Sequence, residues 1–313
     1  MEEIKKELIK PFRMINSELF RSFIFETEKY NYLFFDLHHV IGDGTTISII
    51  LRDIEKAYFD KPLEKDYYLL ELANIERNQN KIQQSKEYFD NNYSGIDWYS
   101  IPEPDFKTSN IERGFFSETL LINVNDLEKA ENKYNISRNA LAITAGLIAL
   151  NKYSGKKDIL TNWIYDNRTT KISANYVGLM IKTLPVGVHF DKIANNSELL
   201  EEVKKQINNG IQNSDYDYFV EYESALNTDC MEINFVGNVD FSNLGQRLKY
   251  EPVTLEKTDT NATARLEIDL WIEDNDEISV KATYRKKLYK EENFERFMKL
   301  YIRSFEELVK EGN

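Results

Sequence analysis

Two adjacent histidines, His38 and His39, are followed after three residues by Asp43 and Gly44. The chain holds three histidines in all, so two of its three imidazoles stand side by side. Imidazole ordinarily titrates near pH ~6.5 and can take a proton from an attacking amine, hydroxyl or thiol. A vicinal pair at a strand end is commonly structural. Asp43 and Gly44 at fixed offsets, between a strand and a helix, point instead to a site. A metal centre is not expected. Neighbouring strand residues face opposite ways, there is no HExxH pair, and the single Cys230 rules out a thiolate cluster.

The residues around the pair read as strand, turn and helix. From Tyr32 the chain is apolar and extended, and alternation puts Leu33, Phe35, Leu37 and His39 on one face. Phe34, Asp36, His38 and Val40 share the other. Gly42 and Gly44 supply the backbone freedom of a sharp turn around Asp43. Thr45 or Thr46 caps the helix that follows, whose apolar positions Ile47, Ile50, Leu51, Ile54 and Tyr58 recur at helical spacing.

His38-His39-x-x-x-Asp43-Gly44 resembles the HHxxxDG motif of nonribosomal peptide synthetase condensation domains, which share the chloramphenicol-acetyltransferase-like fold. Three further stretches are similar to that family. Pro11, Phe12, Leu19, Phe20 and Arg21 match a "PF…LFR" run before the motif. Arg168, Val177, Gly178, Thr183, Leu184 and Pro185 match a "GR…VG-F-NTLP" run that opens the second lobe, with Asn167 where the family usually has glycine. The strand–turn–strand–helix ending, Leu266–Ile272, Ile278–Tyr284 and a helix over about 291–310, resembles the family's C-terminus. Asp215–Val220 is only thinly similar to the family's "QDYPFE".

Composition agrees with a globular protein that has ordinary buried cores. The 313 residues are 42% hydrophobic and 13% aromatic, and a net charge of −13 argues against general affinity for nucleic acid or an anionic membrane. No signal-peptide core or membrane span is legible, so a cytoplasmic location is expected. Residues 64–93 read as a charged helix pair, and 94–114, with Gly95, Pro102, Pro104 and Gly114, as a linker. Beyond it we expect a strand over 115–124, a helix from Asn125 or Asp126 to Tyr134, and a core helix over 137–153 capped by Ser137. A strand over 159–165, a helix over 197–211 and a strand over 233–236 follow. His189 stands in no motif and reads as structural.

The resemblance implies an α/β (α+β) protein of two lobes with mixed sheets flanked by helices. Residues 1–110 would form a partial first lobe and 111–313 the second. It implies acyl transfer from a carrier-bound acyl or peptidyl thioester to a carrier-bound aminoacyl acceptor, forming an amide. His39 would be base or positioning group, and His38, Asp43 and Gly44 would hold the motif's shape. Arg168 and Gly178 are candidates for the substrate cleft, although Arg168 alone reads more readily as a loop-pinning arginine. No cofactor is expected on the chain itself; phosphopantetheine would arrive on donor and acceptor peptidyl carrier proteins. An epimerisation domain or a free-standing O- or N-acyltransferase of the same superfamily is the alternative enzyme, and an inactive carrier-binding scaffold the alternative outside catalysis. The family's opening segment has no counterpart before Pro11. The expectation is therefore an exposed sheet edge in the first lobe and a buried Asp43 without its usual arginine, unless another residue such as Arg21 or Arg52 substitutes.

Overall fold

The computed structural model describes residues 8, 10–63, 71, 78–110, 112–220, 230–237, 266–273 and 275–312. Tyr67–Leu70, the first part of the expected helix pair, lie outside these residues. The chain groups into two compact units, one of 1–76, 167–181 and 239–257, the other of 77–166, 182–238 and 258–313. This division differs from a single cut near residue 110. The aromatic packing of 78–110 and the return of Arg168 to the His-motif segment explain the difference.

In the first unit, β1 (Phe20–Glu26) and β2 (Asn31–Leu37) form an antiparallel hairpin in which Phe20 faces Leu37 and Glu26 faces Asn31. Thr27 closes its turn, the hydroxyl donating to the Tyr30 carbonyl over 2.7 Å. Helix α1 (Gly44–Tyr58) follows the histidine turn. It buries Thr46, Ile49 and Leu51, while Tyr58, expected on the apolar stripe, is 59% exposed.

The second unit is built on a six-stranded sheet. Its strands are β3 (Arg113–Asn123), β4 (Asp158–Tyr165), β5 (Lys182–His189), β6 (Glu232–Gly237), β7 (Leu266–Ile272) and β8 (Glu277–Arg285). Their spatial order is β3-β8-β7-β6-β4-β5. β6 runs parallel to β4 and β7, and the other pairs are antiparallel, so the sheet is mixed. Its helices are α2 (Gln79–Tyr93), α3 (Val124–Tyr134), α4 (Arg138–Ser154), α6 (Asn196–Gln212) and α7 (Glu291–Gly312); α5 (Lys171–Asn175) belongs to the first unit.

Helix α4 is the centre of the core. Ser137 caps it by accepting from the Ala140 amide, as expected, but every residue from Ala140 to Leu150 is buried rather than one stripe. A helix enclosed all round must be apolar all round. The chain supplies this with Ala142, Ile143, Leu147 and Leu150, all 0% exposed, in contact with the sheet, α6 and α7. Helix α7 adds Phe294, Phe297, Tyr301 and Phe305. Helix α2 belongs to the same core through Phe89, whose ring lies 4.9 Å from that of Tyr218, and Tyr93, 6.1 Å from Trp98.

Gly146 lets α4 approach β6. A Cβ built there would lie 2.1 Å from Ile233 Cδ1 and 3.1 Å from Met231 Cε. Alanine gains about 1 kcal/mol of helix propensity over glycine, but overpacking a closed core costs about 1–3 kcal/mol. Gly146→Ala should therefore lower the urea midpoint, and adding Ile233→Val, which removes the clashing carbon, should recover much of the loss.

Candidate functional site

The hairpin delivers the histidine pair, but not in strand geometry. β2 ends at Leu37. The His38 amide donates to the Leu19 carbonyl over 2.9 Å, and His39–Ile41 then form a 3-10 turn closed by Ile41 and Gly42 amides donating to the His38 and His39 carbonyls. Strand alternation therefore stops short of the pair. His39 does not continue the face of Leu33, Phe35 and Leu37, and it is exposed. His38 is half-buried. Its Nδ1 accepts from the Val40 amide at 3.1 Å, which leaves Nε2 to carry the hydrogen in the neutral ring, and the ring stands edge-on to Phe12. Among the described residues nothing hydrogen-bonds the His39 ring.

Gly42 is also needed for a different reason than expected. Its φ of −173° is ordinary extended backbone, but a Cβ there would lie 2.8 Å from Thr46 Cγ2 and 2.9 Å from Leu37 Cδ1. Gly44 opens α1 in open space. The cap of α1 is Asp43, not Thr45 or Thr46; its Oδ1 accepts from the Thr46 amide at 3.0 Å.

Asp43 is the most heavily bonded side chain of the motif. It is 4% exposed. Arg168 Nη2 lies 2.8 Å from its Oδ1 and 3.0 Å from its Oδ2, and the Met180 amide donates to Oδ2 over 3.0 Å. The expected absence of an arginine partner is thus corrected: Arg168, 125 positions along the chain, takes that place. Arg21 and Arg52 are engaged elsewhere. Arg21 pairs with Asp36 at 2.9 Å and lies over the Phe12 ring, and Arg52 bonds Asp53 at 3.0 Å and Asn175 at 3.3 Å.

The rest of Arg168 holds the loop after β4. Its Nη1 donates to the Ser173 and Tyr176 carbonyls over 2.6 and 2.7 Å, and its Nη2 reaches the Gly178 carbonyl at 2.9 Å. Gly178 is equally committed, since its amide donates to Thr46 Oγ1 over 3.1 Å and a Cβ would lie 2.2 Å from the Tyr176 ring. Both substrate-cleft candidates are therefore part of the Asp43 framework. Asn167, in the place of a family glycine, has φ 55°. Asparagine is among the few residues that tolerate this left-handed conformation, so the exchange is conformationally conservative.

Thr46 and the Met180 amide escaped the sequence reading. Thr46 is expected only as a cap, although a threonine three residues after the Asp, on the buried side of α1, carries the signal. The Met180 amide carries none in its side chain. His189, outside the motif, is tied to Asp158 at 2.5 Å and lies against Trp98, with ring centroids 5.1 Å apart.

Burial by itself would raise the Asp43 pKa. The amides of Met180 and Thr46, followed by the Arg168 guanidinium, outweigh it and hold the carboxyl below its ordinary 3.8. A folded pKa below the unfolded one gives stability that is fully present above pH 3.8 and is lost as pH falls through the folded value. Asp43→Asn should remove this acid-side slope in urea titrations run at successive pH values. Arg168→Met, which leaves a buried carboxylate uncompensated, should cost about 3–5 kcal/mol at neutral pH, and the double variant less than the sum of the two.

The chain matches the family model described as "Condensation domain" over residues 1–313. It is 23% identical to Bacitracin synthase 3 of Bacillus licheniformis over 99% of this chain, which spans 5% of that protein. Among solved structures it is similar to the X-domain from teicoplanin biosynthesis, with a TM-score of 0.76 at 14% identity, covering 99% of this chain and 77% of that one. It is also similar to the epimerization domain from the third module of tyrocidine synthetase B, with a TM-score of 0.72 at 16% identity, covering 94% and 72%. The mixed, helix-flanked α/β fold is that of these structures, and among the described residues no helix is long and apolar enough to cross a membrane. With the histidine motif, its locked aspartate and a family match over the whole length, the chain belongs to the condensation-domain family of nonribosomal peptide synthetases.

Proposed function

We propose that this chain catalyses amide formation by acyl transfer, from an acyl or peptidyl thioester to an amine, with both substrates carried on phosphopantetheine arms of carrier proteins. The observation that carries the reading is the His39 turn. An exposed imidazole is held on a short 3-10 turn whose far end is fixed by the buried Asp43–Arg168 pair. In the reaction the amine nitrogen bonds to the thioester carbon, the carbon–sulfur bond breaks, and the amine proton passes to the departing thiolate. An α-amino group ordinarily titrates near ~7.7–8.0 and imidazole near ~6.5, so His39 is suited to position the amine or to relay this proton. Asp43, His38 and Gly44 act through geometry: Asp43 caps α1, His38 closes the turn, and Gly44 begins the helix at its positive end.

A second reading is a carrier-binding module without catalysis, and one observation favours it. Activated bases are usually oriented by a third group, and nothing among the described residues hydrogen-bonds the His39 ring. Loaded donor and acceptor carriers distinguish the two. Under the acyl-transfer reading the purified chain yields amide product by mass spectrometry, and His39→Ala lowers its rate by about 10²–10⁴-fold with an unchanged circular dichroism spectrum. His189→Ala should leave the rate near wild type. Carrier binding with no His39-dependent product would replace the first reading with the second, and racemised acceptor without new amide would favour an epimerising relative.

A further inference from the structure

The sheet of the second unit has two unlike faces. Leu266, Ile268 and Leu270 of β7 and Val280 and Ala282 of β8 are buried on one. On the other, strand register sets Asn162 opposite Glu232, Glu232 opposite Glu267, Asn234 opposite Asp269 and Asp269 opposite Lys281. Paired residues project to the same face, so two amides, three carboxyl groups and one lysine share it.

Acceptors predominate there. Asn234 and Thr183 hydrogen-bond Glu232, Asn234 Nδ2 lies 3.5 Å from Asp269 Oδ1, and Lys281 is drawn to Glu273 at 3.0 Å. Burial, then the charges of Glu267 and Asp269, push Glu232 up to about 7; burial and Glu267 push Asp269 up to about 6. Independently of charge, Asn162 is 6% exposed and its side-chain carbonyl oxygen has no hydrogen-bond partner. A buried acceptor left without a donor costs about 1–3 kcal/mol. Among the described residues Asn162 Oδ1 receives no donor, and a cation that donates hydrogen bonds would complement both it and the carboxyl groups beside it. No three acidic, histidine or cysteine side chains among the described residues converge as a metal shell, which favours an organic cation over a compact metal ion.

We propose that this polar sheet face binds a protonated primary amine, with Glu232 and the Asn162 carbonyl oxygen accepting its hydrogens and Glu267 and Asp269 supplying the surrounding negative field. An ammonium group offers three donors and a unit charge, which suits acceptors spread over neighbouring strands about 4.8 Å apart. The amine is either the α-ammonium of an aminoacyl group or an alkyl ammonium side chain. All the residues concerned lie in the second unit, and the inference does not depend on the acyl-transfer reading.

The test is an NMR titration of the full chain at about pH 7.5, above the value of about 7 to which Glu232 is pushed. Alanine amide probes the α-ammonium, Nα-acetyl-lysine methylamide the side-chain ammonium, and choline chloride, a cation without N–H donors, is the matched control. Saturable shifts of β4, β6 and β7 amides are expected with at least one amine and not with choline, and the amine that saturates identifies the source. Glu232→Gln keeps its bonds to Asn234 and Thr183 and relieves carboxylate repulsion, so it should fold, and it should weaken binding about tenfold or more. Asn162→Ala should also weaken it at unchanged charge. Absence of saturation with both amines, equal saturation by choline, or undiminished binding by Glu232→Gln would overturn the proposal.

Discussion

The Asp43–Arg168 ion pair ties the histidine motif to a segment far along the chain. With side chains 2% and 3% exposed, both charges have left water, a desolvation cost that mutual attraction alone often fails to offset. What makes the arrangement tenable is that the Asp43 oxygens also take the Thr46 and Met180 amides, while the guanidinium also serves three backbone carbonyls. Its net contribution to stability can be small even though removing either partner is costly. The specificity it confers is geometric. One carboxylate caps α1 and, through Arg168 and the Met180 amide, fixes the loop around Gly178.

That constraint also changes the standing of several residues. Arg168 and Gly178, expected as candidates for a substrate cleft, direct their polar groups inward to Asp43, Thr46 and the loop backbone. His39 is the opposite case, an exposed ring on a fixed turn. The order resides in the backbone of the turn, and the ring itself faces solvent.

The second unit achieves its rigidity by other means. A helix buried on every side needs neighbours on every side, and α4 has them in the sheet, α6 and α7. Gly146 brings α4 close to Ile233, so the same strand, β6, presents Ile233 to the core and Glu232 and Asn234 to the polar face. The alternation of a single strand thus joins tight packing on one side to a concentration of half-buried carboxyl groups on the other.

Much of this was legible in the sequence because it is local. The hairpin before the motif, the Ser137 cap, the strands near 159–165 and 266–284 and the final helix all follow from periodicity and turn residues, which act over a few positions. The histidine motif with its flanking elements was enough to indicate the family. Three things lay beyond that range. The partner of Asp43 is 125 residues away, and no local pattern pairs one arginine rather than another with a carboxylate. The His39 face departs from the expectation because the three-residue 3-10 turn His39–Ile41 breaks strand alternation, and that turn depends on the Leu19 and His38 bonds. The crowding of Glu232, Glu267 and Asp269 follows from strand order, which brings β6 beside β7 across an intervening stretch. Periodicity indicates which side of a strand a residue occupies, and only tertiary pairing decides what it meets there.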